Sequence, residues 1–169
     1  RDYIALTKPR IISLLLLTAL CGMFLAARSV PDTILIVVVL TGGALAAGGA
    51  HSLNHYFERD LDLLMKRTSD RPVASGRVSP KAAFVFGVIL NVVAFISLGV
   101  LANFLSAFLT LSGTLFYILV YTIALKRRTS QNIVIGGAAG AVPPMVGWTA
   151  VTGTLDLPAI YMFTIIFFW

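Results

Sequence analysis

An acidic stripe is the feature of this sequence with the clearest chemistry. Asn54, Glu58 and Asp62 recur every four residues, directly after a long apolar stretch. On a helix at ~100° per residue these side chains fall within about 80° of arc, and successive members lie ~6 Å apart along the axis. Asp60 is out of phase and points to another face. The spacing therefore predicts a patch made of one amide oxygen and two carboxylates.

The oxygen atoms of this stripe suit a hard divalent cation. Mg²⁺ prefers one or two carboxylates, completed by water and by substrate phosphates. In a soluble protein such a run would be a solvated helix end, but acidic groups at the mouth of a membrane bundle are costly and tend to be functional. We therefore predict that Asn54, Glu58 and Asp62 are catalytic metal ligands for a metal-bound diphosphate.

Basic residues lie near the stripe in three short stretches. Guanidinium and ammonium groups of this kind bind phosphate oxygens. Each stretch alone is an ordinary membrane-topology signal. Together with the carboxylates, they indicate a substrate that carries pyrophosphate. The stretches are Lys8-Pro9-Arg10, Lys66-Arg67-Thr68-Ser69-Asp70-Arg71-Pro72 and Lys126-Arg127-Arg128-Thr129.

The elements that position these groups are predicted to be transmembrane helices. The chain is 58% hydrophobic and 12% charged, whereas a soluble domain carries roughly 25% charged residues. A barrel strand would alternate in hydropathy, which these segments do not, and lipid requires internally satisfied backbones. The predicted fold class is all-α, a polytopic transmembrane helical bundle in a single membrane domain, 1–169. Spans are expected near 11–27, 33–54, 81–101, 104–125 and 132–152, with a sixth from 157.

Charge alternates strongly between the loops. Twelve of the 13 Lys and Arg residues fall on one side of the predicted bundle, and only Arg28 falls on the other. The positive-inside rule then places the N-terminus, the 55–80 loop and the 126–131 loop in the cytoplasm. Because topology already explains the net charge of +6, nucleic-acid binding is not expected.

Small residues, prolines and histidines carry weaker signals. The glycines Gly42-Gly43, Gly48-Gly49 and Gly136-Gly137 with Gly140 favour close helix packing over a ligand role. Pro143-Pro144 is expected to kink or interrupt the fifth span beside a cavity.

His51 and His55 have a metal- or haem-ligand spacing, but hydrogen bonding within the bundle is the favoured interpretation. Cys21 is alone, which excludes an internal disulfide, and is expected to fill space.

Four stretches together resemble the UbiA-type membrane prenyltransferase superfamily, and most closely its protohaem farnesyltransferase (haem O synthase) branch. They are Thr7-Lys8-Pro9-Arg10, the 54–62 run continuing to Arg71-Pro72, Tyr121 to Thr129 with Asn132, and 140–148. Two positions depart from the superfamily pattern. His55 and Glu58 stand where aspartates are usual, and Tyr121 and Lys126 are one residue further apart than in Tyr-x-x-x-Lys.

The resemblance implies a nine-helix fold in which two aspartate-rich motifs face a lipid-open cavity and Mg²⁺ helps a prenyl diphosphate to ionise. It makes Asn54, Glu58 and Asp62 the first metal motif, while the second is absent from these residues. Because the chain starts at Arg1 rather than Met and stops in an apolar run, we expect about five complete helices, a truncated sixth and a missing C-terminal part. The implied diphosphate contacts are Arg10, Lys66, Arg67, Arg71, Lys126 and Arg127.

The implied activity is transfer of a farnesyl group from farnesyl diphosphate to a vinyl group of protohaem, which gives haem O. The implied location is a bacterial inner membrane or mitochondrial inner membrane, with the N-terminus on the cytoplasmic or matrix side. Implied partners are the lipid bilayer and a downstream haem-modifying enzyme or terminal oxidase assembly. One alternative is a prenyltransferase acting on an aromatic acid, a quinone precursor or chlorophyllide. A transporter is less favoured, because four of the five complete spans lack the mid-span acids that an ion relay needs.

Overall fold

The chain folds into a bundle of helices. The structure, a computed structural model, describes residues 1–126 and 128–169, and within them it contains helices and connecting turns but no strand. The predicted all-α fold class is therefore confirmed. In chain order the helices are α1 (Asp2–Thr7), α2 (Pro9–Ala27), α3 (Thr33–Phe57), α4 (Arg59–Leu64), α5 (Pro80–Leu101), α6 (Phe104–Leu115) continued by a π-helix (Phe116–Leu125), α7 (Asn132–Thr152) and α8 (Leu157–Phe168).

Five of these helical segments are long and apolar enough to cross a membrane, and they match the predicted spans closely. They are α2, α3, α5, α7 and the combined segment Phe104–Leu125. The shorter α8 is also apolar. Their outward faces carry many exposed Leu, Ile, Val and Phe side chains, as lipid contact requires. The chain is an integral membrane protein.

Local sequence signals fix where several helices begin. Asp32 caps α3 by accepting a hydrogen bond from the Leu35 amide at 2.9 Å, and Asn103 caps α6 through the Ser106 amide at 2.9 Å. Pro9, Pro80 and Pro158 stand in the first turns of α2, α5 and α8, where a missing N–H costs no helical bond. These signals set the first residues of α2, α3, α5, α6 and α8.

Glycines allow the helices to approach one another. Added Cβ atoms on Gly22 and Gly147 would overlap the backbone carbonyls of Pro144 and Ala19, so α2 and α7 touch at their backbones. A Cβ on Gly49 would likewise overlap the Gly87 carbonyl on α5. These contacts confirm the packing role predicted for the glycines of the second span.

The two prolines of the fifth span do not interrupt it. Helix α7 continues through Pro143 and Pro144, so of the predicted kink or interruption, the interruption does not occur. Each proline removes one backbone donor, and the carbonyls left without that bond belong to Ala139 and Gly140. Both residues line a cavity, which explains why the helix tolerates the loss. The cavity predicted beside the prolines is therefore present.

The second half of the fourth span changes its helical pitch. From Phe116 to Leu125 the chain is π-helical, and the Lys126 amide donates to the carbonyl of Tyr121, five residues earlier, at 3.0 Å. A π-helix is bonded from i to i+5 and is often found at functional sites. The extent of this span was predicted, but its change of pitch was not.

The short helix α1 lies against the segment between α4 and α5. The side chain of Arg77 forms an ion pair with Asp2 at 3.0 Å, and an apolar cluster lies beside it. The N-terminus and the 65–79 segment thus form one layer at the end of the bundle. The cluster consists of Leu6, Val73, Val78 and Ala83.

A separate apolar core lies deeper in the bundle, between α2, α3, α5, α6 and α7. Met23 and Leu98 are completely buried in it, and Val39 is nearly so. Cys21 lies outside this core with an exposed side chain, so the space-filling role expected for it is wrong. Its position on α2 turns it towards the outer surface.

Candidate active site

The predicted stripe is present, although the helix that carries it is broken. Asn54 lies near the end of α3, Glu58 links α3 to α4, and Asp62 lies in α4. The Glu58 amide still donates to the Asn54 carbonyl at 2.9 Å, and the Asp62 amide to the Glu58 carbonyl at 2.8 Å. Four-residue bonding therefore persists across the break and keeps the three residues in phase. All three are buried, with at most 2% of each residue exposed.

Both carboxylates converge on basic side chains. Arg71 Nη1 donates to both oxygens of Asp62 at 2.7 and 2.9 Å, and lies 3.7 Å from Glu58 Oε2. Lys126 Nζ donates to Glu58 Oε1 at 2.5 Å. Because one nitrogen contacts both acids, Glu58 and Asp62 face a shared point that a cation can occupy.

Lys8 is a third cation at the site and was not among the predicted contacts. Its Nζ donates to Asn54 Oδ1 at 3.3 Å. Burial, followed by the nearby positive charge of Arg71, lowers the pKa of the Lys8 ammonium to about 8. Lys8 has a left-handed backbone, with φ 54°, and the following Pro9 disfavours the right-handed helical conformation at this position. This break between α1 and α2 directs Lys8 inward.

Three of the other predicted diphosphate contacts are exposed. Arg10 is exposed on the first turn of α2, and Lys66 and Arg67 are exposed in the turn after α4. Arg127 lies outside the described residues. Of the six predicted cations, the structure brings Arg71 and Lys126 to the stripe. The sequence feature that could have identified Lys8 is its position directly before Pro9, the residue that begins α2.

The oxygen atoms of the stripe can supply some, but not all, of the ligands of a magnesium ion. Two buried carboxylates face the Arg71 guanidinium, which shows that the pocket accommodates positive charge. The Asn54 amide oxygen, which accepts from Lys8, is a third hard oxygen ligand. Within the described residues, no group of three or more His, Cys, Asp or Glu side chains is arranged to hold a metal. The residues fit Mg²⁺ that completes its shell with water and phosphate oxygens.

A chain of contacts links the stripe to aromatic rings on the π-helix. Asn54 Nδ2 donates to the Thr122 hydroxyl at 3.2 Å, and that hydroxyl donates to the Tyr117 carbonyl at 3.0 Å. The rings of Tyr117 and Tyr121 stack with centroids 5.4 Å apart, and Lys126 Nζ lies 5.7 Å from the centroid of the Tyr121 ring. The π-helical turn thus aligns Tyr121 and Lys126 despite their five-residue separation.

An apolar cavity of about 260 Å³ begins beside these rings. His51 and Tyr117 line its end nearest the stripe, since His51 precedes Asn54 by less than one turn of α3. The ring nitrogens of His51 and His55 are buried and have no hydrogen-bond partner among the described residues. The hydrogen bonding predicted for these histidines is therefore wrong. The rest of the lining comes from small and aliphatic side chains of α2, α3, α6 and α7.

Comparison with protein families agrees with this geometry. The model of the UbiA prenyltransferase family matches residues 15–169. The chain belongs to the UbiA prenyltransferase family. The predicted resemblance to that superfamily is confirmed.

Curated relatives from this family are similar over nearly the whole chain. A protoheme IX farnesyltransferase 1 from Saccharopolyspora erythraea is 52% identical over 167 residues, which are 99% of this chain and 54% of the relative. A protoheme IX farnesyltransferase from Chloroflexus aurantiacus is 54% identical over 168 residues, which are 99% of this chain and 29% of the relative. The chain therefore spans about half, or less, of the length of these relatives.

A solved structure shares the fold. It is a UbiA homologue from Archaeoglobus fulgidus bound to GPP and Mg²⁺, with a TM-score of 0.77 and 18% sequence identity. The superposition covers 99% of this chain and 60% of that chain. The similarity shows that this all-helical bundle has the architecture of the UbiA family.

Proposed function

We propose that this protein, in its full length, transfers a farnesyl group from farnesyl diphosphate to a vinyl group of protohaem. The observation that carries the proposal is a cluster of two buried carboxylates and three partly buried cations at the mouth of an apolar cavity, in a chain about half identical to protoheme IX farnesyltransferases. The cluster suits a diphosphate and the cavity suits an isoprenoid. The choice of protohaem as acceptor rests on these relatives.

The basic residues bind the diphosphate in this proposal. Arg71 and Lys126 already lie within hydrogen-bond distance of the acids, and Lys8 lies one contact away at Asn54. Small side-chain rotations turn their N–H groups from the carboxylates to phosphate oxygens, where charge accumulates as the C–O bond of the substrate breaks. Asn54, Glu58 and Asp62 would hold Mg²⁺, which would supply further neutralisation of the leaving diphosphate.

The aromatic rings and the cavity protect the allylic carbon. Tyr117 and Tyr121 lie between the cluster and the cavity, where their π faces attract positive charge. The apolar walls exclude bulk water, which would otherwise capture the cation. The new carbon–carbon bond forms between the first farnesyl carbon and the outer vinyl carbon of protohaem. One water molecule adds to the inner carbon and loses a proton, which leaves a hydroxyethylfarnesyl group.

The cellular setting follows from the same proposal. The full-length protein lies in a bacterial inner membrane or mitochondrial inner membrane, with the N-terminus on the cytoplasmic or matrix side. Its product passes to a haem-modifying enzyme or to terminal oxidase assembly. The proposed orientation is supported by contacts that hold α1, the 65–79 segment and Lys126 at the same end of the bundle, where a basic surface is expected to face the cytoplasm.

A reconstitution experiment tests the proposed activity. The full-length protein in vesicles is supplied with farnesyl diphosphate, protohaem and Mg²⁺, and the products are analysed by mass spectrometry. We expect hydroxyethylfarnesyl haem and an equal amount of pyrophosphate, both lost when Mg²⁺ is chelated. Product formed from 4-hydroxybenzoate but not from protohaem would overturn the proposal in favour of an aromatic acceptor.

A further inference from the structure

We infer that the depth of the cavity selects the length of the isoprenoid, and that Gly140 is the residue that leaves room for the distal part of the tail. The inference deepens the proposed function and rests on it for the identity of the cavity's occupant. It concerns the choice among prenyl diphosphates of different length. Three features of the cavity support this inference: the direction in which it runs, the close packing of its floor, and the open space beside Gly140.

The cavity runs from the charged cluster into the membrane. Its upper end lies at His51 and Tyr117, next to the contacts that reach Asn54. On α7 its lining extends from Gly136 to Val146, ten residues that rise ~15 Å along a helix. A diphosphate held at the cluster therefore places its tail along this axis, with successive isoprene units at increasing depth.

The floor of the cavity is part of the packed core. Ala19, Val39 and Val146 line the cavity and also belong to the buried cluster that contains Met23 and Leu98. Each floor residue is at most 5% exposed, and the two residues behind them are completely buried. Because close-packed cores resist the insertion of extra methylene groups, this floor does not yield to a longer tail.

The wall is open at one glycine. A Cβ added to Gly140 would meet no heavy atom of the described residues within 4 Å, whereas a Cβ on Gly136 would overlap the Tyr121 ring. Gly140 lies one helical turn, ~6 Å, below Gly136. A side chain at Gly140 would therefore project into empty space instead of displacing a neighbour. The packing role predicted for Gly140 is therefore wrong on this face, where the described residues leave open space around an added Cβ.

Three variants of the full-length protein test the inference: Gly140→Ala, Gly140→Leu and Val146→Ala. Each is assayed with geranyl, farnesyl and geranylgeranyl diphosphate. We expect Gly140→Leu to raise the preference for geranyl over farnesyl, measured as the ratio of kcat/KM values, by about tenfold or more, the effect typical of a filled hydrophobic subsite. Gly140→Ala should move the ratio in the same direction by less. Val146→Ala lowers the floor and should favour geranylgeranyl diphosphate.

The matched control is Gly99→Ala on α5, whose added Cβ would make an ordinary 3.7 Å contact with Ala107 outside the cavity. This variant should leave all three ratios unchanged. If the Gly140 variants reduce the rates with all three substrates in parallel, the inference is overturned. Mg²⁺-dependent pyrophosphate release is measured beside haem prenylation. If the variants change the length preference in pyrophosphate release but no prenylated haem forms, the proposed acceptor would be overturned. The role of the cavity in selecting the length of the isoprenoid would still be supported.

Discussion

Asp60 and Asp62 lie two residues apart on α4, but they differ in how far their side chains are exposed. Asp62 is 1% exposed and contacts Arg71 through both oxygens, whereas the side chain of Asp60 is on the exposed face. We predict that Asp62→Asn lowers kcat of the full-length protein by about 10²–10³, because in the proposed mechanism it would remove charge that positions the cations and Mg²⁺ at the leaving group. Asp60→Asn should change kcat less than about threefold. Equal losses in haem prenylation assays would show that helical phase does not decide function here.

A second prediction concerns Lys8, which the structure places at the site in preference to Arg10. Lys8→Ala should weaken binding of farnesyl diphosphate by about tenfold or more, since a hydrogen bond to a charged group contributes ~1.5–3 kcal/mol. Lys8→Arg should restore most of the affinity because it keeps the charge. Binding is measured by titration of the full-length protein with a non-hydrolysable diphosphate analogue. Arg10→Ala is the control, and a larger effect there than at Lys8 would contradict this placement.

The sequence predicted the acids of this site better than its cations. Asn54, Glu58 and Asp62 follow one helical period, which survives the break at Glu58, so their convergence could be worked out from spacing. Arg71 and Lys8 reach the stripe through a folded turn segment and a left-handed residue, neither of which has a period. For this reason the sequence alone could not show which cation of each basic stretch reaches the acidic stripe.

At the scale of elements, helix positions were predictable and helix pitch was not. Hydropathy located the fourth span at 104–125, and one continuous segment occupies those residues. A constant 3.6-residue period places Tyr121 and Lys126 well away from one another on the helix surface. The π-helical bonding from Phe116 to Leu125 brings them to one face. The one residue by which the spacing of Tyr121 and Lys126 exceeds Tyr-x-x-x-Lys is accommodated by this π-helix, but hydropathy alone did not predict the change of pitch.

The contact between α2 and α7 gives a prediction about stability. An added Cβ on Gly147 would overlap the backbone carbonyl of Ala19, which cannot move without displacing α2. Gly147→Ala is therefore expected to destabilise the full-length protein in detergent by about 1–3 kcal/mol, as overpacking does. Thermal unfolding would show a lower Tm. Gly99→Ala, which has room for its methyl group, should not lower Tm, because alanine is the better helix former. A similar loss for both variants would contradict the role of the contact between α2 and α7.

At the scale of the whole molecule, the charge pattern predicted which loops lie together. Ion pairs and hydrogen bonds confirm that α1, the 65–79 segment and Lys126 meet at one end. Hydropathy and charge could give this arrangement because every span must cross the bilayer once. They could not give the helix neighbours, which depend on glycine contacts and on the shape of the cavity.

A cysteine-labelling experiment tests which side of the membrane this end of the bundle faces. After Cys21→Ala, single cysteines in place of Ser69, Ser130 and Ser29 are treated with a membrane-impermeant maleimide in oriented vesicles. We predict that the first two react only from the cytoplasmic side and the third only from the opposite side, because twelve of 13 basic residues flank the first end. Reaction of all three from one side would contradict the proposed orientation.

The π-helical stretch also determines how this membrane domain tolerates a change in chain length. Deleting one residue, such as Ala124, from an α-helical span would rotate every later side chain by about 100°. In the stretch Phe116–Leu125, the same deletion shortens the Tyr121–Lys126 spacing to four residues, and α-helical bonding then keeps both side chains on one face. A deletion of one residue in this stretch is therefore expected to keep the Tyr121 and Lys126 side chains on one face, which a deletion elsewhere in an α-helical span would not do.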